Sequence, residues 1–130
     1  MNREIKFRAW HKTEEMFVDA KVFDFNVGLV GTSAYDNKDG RTKYGDIMQN
    51  FIVEQYTGLK DKNGVEIYEG DIISYHRHRY EIVYSYGCLG LEMEDEDYGG
   101  SKLVPLSEIH QMIINEEVIG NIHENADLLK

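Results

Sequence analysis

Apolar and polar positions alternate along the first 25 residues. In "EIKFRAW", Ile5, Phe7 and Ala9 stand against Lys6, Arg8 and Trp10, the two-residue period of a half-buried strand. "HKTEE" turns the chain, and "MFVDAKVFDF" resumes the pattern with Met16, Val18, Ala20 and Val22 on one face. The two segments predict a β-hairpin over residues 1–25. The alternation then dissolves. "NVGLVGTSAYDNKDGRTKYG", at 26–45, carries four glycines and only short apolar patches, so it reads as a long loop. Loops of that length in compact domains are uncommon and often bind something, which makes this one a candidate surface.

Periodicity returns at residue 46. "IMQNFIVEQYTG" suits a strand, and "DKNG" follows it. Asn63-Gly64 is a pair that tolerates positive φ at both central positions of a two-residue hairpin turn. "VEIY", "DIISYHR", "RYEIVYSY" and "LGLEME" are short alternating segments at close spacing, with "EGD" bending the chain between the first two. The acidic run "EMEDEDYGG" predicts a solvated connection, because adjacent carboxylates repel when buried. After Pro105, Ser107 is placed to cap one helical turn through "EIHQM". "EVIGNI" reads as a closing strand and "ENADLL" as a short helical tail. The expected fold is mainly β: a single domain, 1–130, with a small, strongly bent barrel or sandwich over 46–130. The N-terminal β-hairpin extends from it, and short helical turns lie near the C-terminus.

Composition narrows the picture. A chain of 130 residues is long enough for one core. Its 24 Asp and Glu against 14 Lys and Arg give a net charge of −10, which disfavours direct nucleic-acid binding. "HRHR" at 76–79 is the one dense basic patch. No apolar run is long enough to span a bilayer, and "MNREIKFRAWHK" places charges where a signal peptide needs its apolar stretch. Cys88 is the sole cysteine, so neither an internal disulfide nor a cysteine metal cluster is available. A reducing cytoplasm is the expected setting.

Candidate chemistry is sparse. "DKNG" has the Asp61 and Asn63 alternation of a calcium loop, but its glycine comes too early and its flanks are strands. "DNKDG" at 36–40 fails the same spacing. His76 and His78, two apart, would share a face on a strand and could meet one metal. Arg77 and Arg79 oppose a cation there, and His11, His110 and His123 are scattered, so solvated residues at a hairpin tip are the competing reading. Glu69 and Asp71 flank Gly70, where Asp71 suits backbone hydrogen bonding at a strand start. Cys88, within "YGCLGL", reads as a small buried residue. Neither a Walker loop nor a nucleophile elbow is present. No catalytic, cofactor-binding or metal residue is assigned.

Three segments, "REIKFRAW", "QYTGLKDKNGVEIYEGDII" and "VIGNIHENADLL", together resemble the YopX family of small phage and prophage proteins. The resemblance implies a mainly β protein encoded by a tailed phage or prophage of a low-GC Gram-positive host. It implies no catalytic residue. The expected function is a non-enzymatic binding module acting on a host or phage macromolecule, with a protein as the expected partner. A metal-dependent hydrolase or nuclease using His76 and His78 is one alternative, and an acidic mimic of nucleic acid is another. Ile5, Phe7, Trp10, Phe17, Phe23 and Phe25 exceed what one buried face requires, which favours a second packing surface or a homo-oligomer.

Overall fold

The computed structural model describes residues 4–32, 43–95, 97 and 99–129. The chain divides into two compact units: Lys6–Gln55, and Tyr56–Lys130 with Met1–Ile5.

In the first unit, β1 (Phe7–His11) pairs antiparallel with β2 (Met16–Val18) and, on its other side, with the first half of β6 (Phe51–Lys60). A separate antiparallel sheet is built from β3 (Ala20–Asp24), β4 (Leu29–Thr32) and β5 (Lys43–Asp46). The predicted hairpin over 1–25 is therefore β1–β2 alone, because the chain changes sheets at Asp19. Alternation could not reveal that corner: Val18 and Ala20 both pack on the core formed by Ala9, Val30 and Phe51. The long loop expected at 26–45 also needs correction. Leu29–Thr32 and Lys43–Asp46 are strands, each of four residues and too short to show a period. "DNKDG" lies outside the described residues. Ile47–Asn50, read as strand, forms the single helical turn α1. Asp46 Oδ1 accepts from the Gln49 N–H, and Asn50 Oδ1 accepts from the Asp46 N–H, so two short polar side chains close that turn.

The second unit starts with the other half of β6, which pairs with β7 (Glu66–Tyr68) through a register shift that includes Gly58 at φ 88°. Five antiparallel strands follow: β8 (Asp71–Tyr75), β9 (His78–Ser85), β10 (Cys88–Asp95), β11 (Gly100–Pro105) and β12 (Val118–Asn121). Their order is β11-β10-β9-β8-β12. A curled half-barrel results, and the mainly β expectation holds. Helix α2 (Leu106–Ile113) buries Leu106, Ile109 and Ile113 against Ile67, Ile73, Tyr75, Ile82 and Leu91. Eight residues form this helix where one turn was expected, because the spacing of those three side chains gives it a continuous apolar stripe. Pro105, not Ser107, is its N-cap, and no side chain caps it. A 3-10 turn, Ala126–Leu129, matches the expected tail. β10 bears out the strand read at "LGLEME" and runs on to Asp95, so "EMED" lies in the strand and not in the acidic connection; Asp95 pairs with Gly100 of β11.

Candidate functional site

The most prominent surface of the first unit is aromatic. Phe7 on β1 and Phe23 on β3 lie with ring centroids 5.7 Å apart, and Phe25 meets Phe7 edge-on at 5.1 Å. Phe23 and Phe25 stack nearly parallel at 6.1 Å. Phe23 also packs on the Ala9, Val30 and Phe51 core, so the cluster runs from the interior outward. At its outer end Phe25 is 58 % exposed, and Val27, two residues on in the same turn, is 64 % exposed.

These side chains sit on a fixed loop. Residues 25–28 connect β3 to β4, and Asp24 Oδ1 accepts from the N–H groups of Asn26 at 3.1 Å and Val27 at 3.2 Å. The Gly28 N–H donates to the Asp24 carbonyl, and the Ile47 N–H donates to the carbonyl of Gly28. Gly28 has φ 76°, a conformation that glycine adopts without steric cost. An aspartate bonding backbone two and three residues on, closed by a left-handed glycine, is a rigid platform. The reading of 26–45 as loop missed it, although "DFNVG" carries the signal: Asp and Gly four apart.

On the other face of β1, Trp10 packs edge-on against Phe17 at 5.0 Å. Arg8 Nε lies 3.0 Å from Glu54 Oε1, and its guanidinium covers the Phe17 ring at 4.5 Å. Glu54 is 2 % exposed. This pair faces its cross-strand neighbour in register and serves the sheet, not solvent.

"DKNG" is a turn, but a different one from that expected. The Gly64 N–H donates to the Asp61 carbonyl and the Asp61 N–H to the carbonyl of Val65. Gly64 has φ 81°, whereas Asn63 is not at positive φ. This is the three-residue loop with a left-handed glycine bulge. The two-residue turns with both φ positive occur elsewhere: His76 and Arg77 (φ 48° and 68°) join β8 to β9, and Tyr86 and Gly87 (51° and 80°) join β9 to β10. The Asp61 side chain does more than turn the chain. Its Oδ1 accepts from the Asn63 and Val65 N–H groups at 2.8 and 2.9 Å, and its Oδ2 from the Val118 N–H at 2.9 Å. Burial alone would push this carboxyl up. The donors from Val118, Val65 and Asn63, with Lys62 nearby, outweigh that and hold its pKa below the ordinary 3.8. Three backbone donors occupy the carboxylate, so it acts as a latch between the turn and β12.

The remaining candidates resolve as follows. His76 and His78 do not share a strand face, since His76 is in the turn and the strand starts at His78. Both are exposed, and the His76 ring packs edge-on against Tyr75 at 4.3 Å. Among the described residues no group of three or more His, Cys, Asp or Glu side chains could hold a metal. Asp71 is buried and accepts from the Tyr68 N–H at 2.8 Å, the backbone role anticipated for it. Cys88 is the first residue of β10 and is half-buried, where a buried residue was expected. Among the described residues no helix is long and apolar enough to cross a membrane.

Comparison with known proteins fits this architecture. A solved structure, the crystal structure of protein EF1440 from Enterococcus faecalis, is similar over 99 % of this chain and 100 % of its own, with a TM-score of 0.63 and 29 % identity. No curated protein matches. The family described as YopX protein matches residues 6–130. With nearly the whole length matched, this chain belongs to the YopX family.

Proposed function

We propose that this chain is a non-enzymatic, phage- or prophage-encoded module that works in the bacterial cytoplasm by binding a protein. One observation carries the reading: the Phe7, Phe23 and Phe25 cluster is anchored in a core at one end and presented to solvent at the other on a loop that Asp24 locks. Aromatic side chains held in fixed positions lose little entropy on binding and dominate protein interfaces. Exposed apolar groups that cluster, instead of scattering singly, mark contact surfaces. Family membership supports the phage context.

The test compares affinity capture from host lysate by the wild-type chain and by a Phe25→Ser/Val27→Ser variant whose circular dichroism is unchanged. A protein retained by the wild type and lost by the variant is the expected result. Identical capture by both, or nothing above background, ends the proposal. The same patch also suits a second copy of the chain, through the exposed Phe25 and Val27. Light scattering at micromolar concentration separates the two readings, since self-association predicts a dimer mass that the variant loses.

A further inference from the structure

A groove of about 770 Å³ lies in the second unit, along β9 and β10. Its walls carry Arg77 and Arg79 at the end nearest the β8–β9 turn, and Leu128 from the 3-10 turn at one side. Val83 and Met93 add apolar lining, and the carboxylates of Glu81 and Glu92 lie farther along β9 and β10. The Ser101 hydroxyl donates to Glu92 Oε1 at 2.9 Å, fixing that carboxylate. Arg79 Nη1 approaches the Leu128 carbonyl only at 3.5 Å. In a chain of net charge −10, the one dense basic segment is thus set into a concave surface.

That segment is also held in a costly conformation. His76 and Arg77 both adopt positive φ, which a residue with a Cβ avoids by roughly 1 kcal/mol or more. The two-residue turn between β8 and β9 imposes it and thereby fixes where Arg77 stands.

The charge order selects the ligand. Positive charge sits at Arg77 and Arg79, and negative charge sits two residues on at Glu81, with Glu92 on the neighbouring strand. Arg79 and Glu81 share one strand face, roughly 7 Å apart at the rise of an extended chain. A polyphosphate or nucleic acid would bring uniform negative charge against Glu81 and Glu92. An extended peptide carrying an acidic and a basic residue two positions apart projects both from one face with the same spacing. The geometry points to this groove as a binding site for such a peptide segment of a protein partner, its carboxylate on the two guanidiniums and its cation on the two glutamates. The assignment rests on the protein-binding reading above but uses a separate surface.

Fluorescence anisotropy with the full chain tests it. The probes are labelled Ac-Ala-Asp-Leu-Lys-Ala-NH2 and the same peptide with Asn and Gln replacing Asp and Lys. The charged peptide is expected to bind at least tenfold more tightly than the neutral one. Arg77→Gln/Arg79→Gln is expected to remove that advantage, and high salt to weaken it. On the wild-type chain, amide shifts at Val83 and Ser101 on titration locate the site without any variant. Equal binding of the two peptides, indifference to the arginine changes, or shifts confined to other residues overturns the proposal. Displacement of the peptide by inorganic phosphate or a ten-residue oligothymidylate at lower concentration than by unlabelled peptide also overturns it, in favour of a phosphate ligand. None of these outcomes bears on capture through Phe25, so the two readings fail separately.

Discussion

Removing the Asp61 carboxylate is expected to be among the most damaging single changes in the second unit. It accepts three backbone N–H bonds at 2.8 to 2.9 Å while only 6 % exposed. Hydrogen bonds to a charged acceptor contribute about 1.5–3 kcal/mol each, and a buried donor left without one costs about 1–3 kcal/mol. The Asn63 N–H sits in a surface turn where water can replace the lost partner. The Val118 N–H belongs to β12 and is harder to rehydrate. Counting one donor fully lost, one partly and one rehydrated, Asp61→Ala should cost about 3–4 kcal/mol. Asp61→Asn keeps one carbonyl oxygen for Asn63 and Val65 but turns an NH2 toward the Val118 N–H, so it should cost about 2 kcal/mol.

Urea unfolding measures this directly. With a slope of roughly 1.5 kcal/mol/M, the midpoint should fall by about 2 M for Asp61→Ala and somewhat over 1 M for Asp61→Asn. The pH dependence has a definite sign. The folded pKa lies below 3.8, so the latch is fully present above that value and is lost as pH falls through the folded pKa. The gap between wild type and Asp61→Asn should therefore be constant from pH 5 to 7 and shrink toward the acid limit. A midpoint shift below about 0.3 M for Asp61→Ala, with unchanged exchange protection of the Val65 and Val118 amides, would refute the latch.

Three further outcomes are expected. Gly120→Ala puts a Cβ 2.6 Å from Asn125 Oδ1 and 2.9 Å from its Cβ, so thermal denaturation should show a loss of about 1–3 kcal/mol. Replacing His76-Arg77 by Asn-Gly relieves two left-handed residues and should raise stability by about 1–2 kcal/mol in urea titration; no gain means the turn is not strained. Ile82→Ala, at a fully buried position of β9, should cost about 2–5 kcal/mol by calorimetry.

The sequence made strand content legible wherever a strand had one buried face and several residues. β1, β9 and β10 announce themselves in this way. It failed for β4 and β5, four residues each, where a fully buried Val30 and small Gly31 leave no alternation to read. It misplaced the two-residue turns for a related reason. Asn-Gly is the best local signal for a turn with two positive φ values, but Asp61 bonds forward to Val65 and across to Val118 and selects a longer loop. At 76–77 the pairing of β8 with β9 imposes the same turn on His-Arg, against local preference. The candidate surface was only half visible. The excess of aromatics at 4–25 could be counted, but which of them face solvent depends on the sheet change at Asp19 and on the Asp24 platform.

The segments that carry the family resemblance do mainly backbone work. In "QYTGLKDKNGVEIYEGDII", the Thr57 hydroxyl donates to the Ile67 carbonyl at 2.7 Å and accepts from the Leu59 N–H, spanning the register shift at Gly58. Asp61 latches β12. Asp71 holds the Tyr68 N–H, and Gly70 donates to the Ile82 carbonyl while accepting from the Ile122 N–H. In "VIGNIHENADLL", Asn121 Oδ1 accepts from the His123 and Glu124 N–H groups, and Asn125 Oδ1 from the Asn121 N–H. Thr57, Asp61, Asp71, Asn121 and Asn125 each satisfy main-chain groups at a bulge, turn or strand end, a job with narrow geometric tolerance and few substitutes. Of the side chains invoked in binding, Phe7 lies in "REIKFRAW" and Leu128 in "VIGNIHENADLL", whereas Phe25, Val27, Arg77 and Arg79 lie outside all three segments. The wording of these segments is therefore accounted for largely by the scaffold that their polar side chains hold in place.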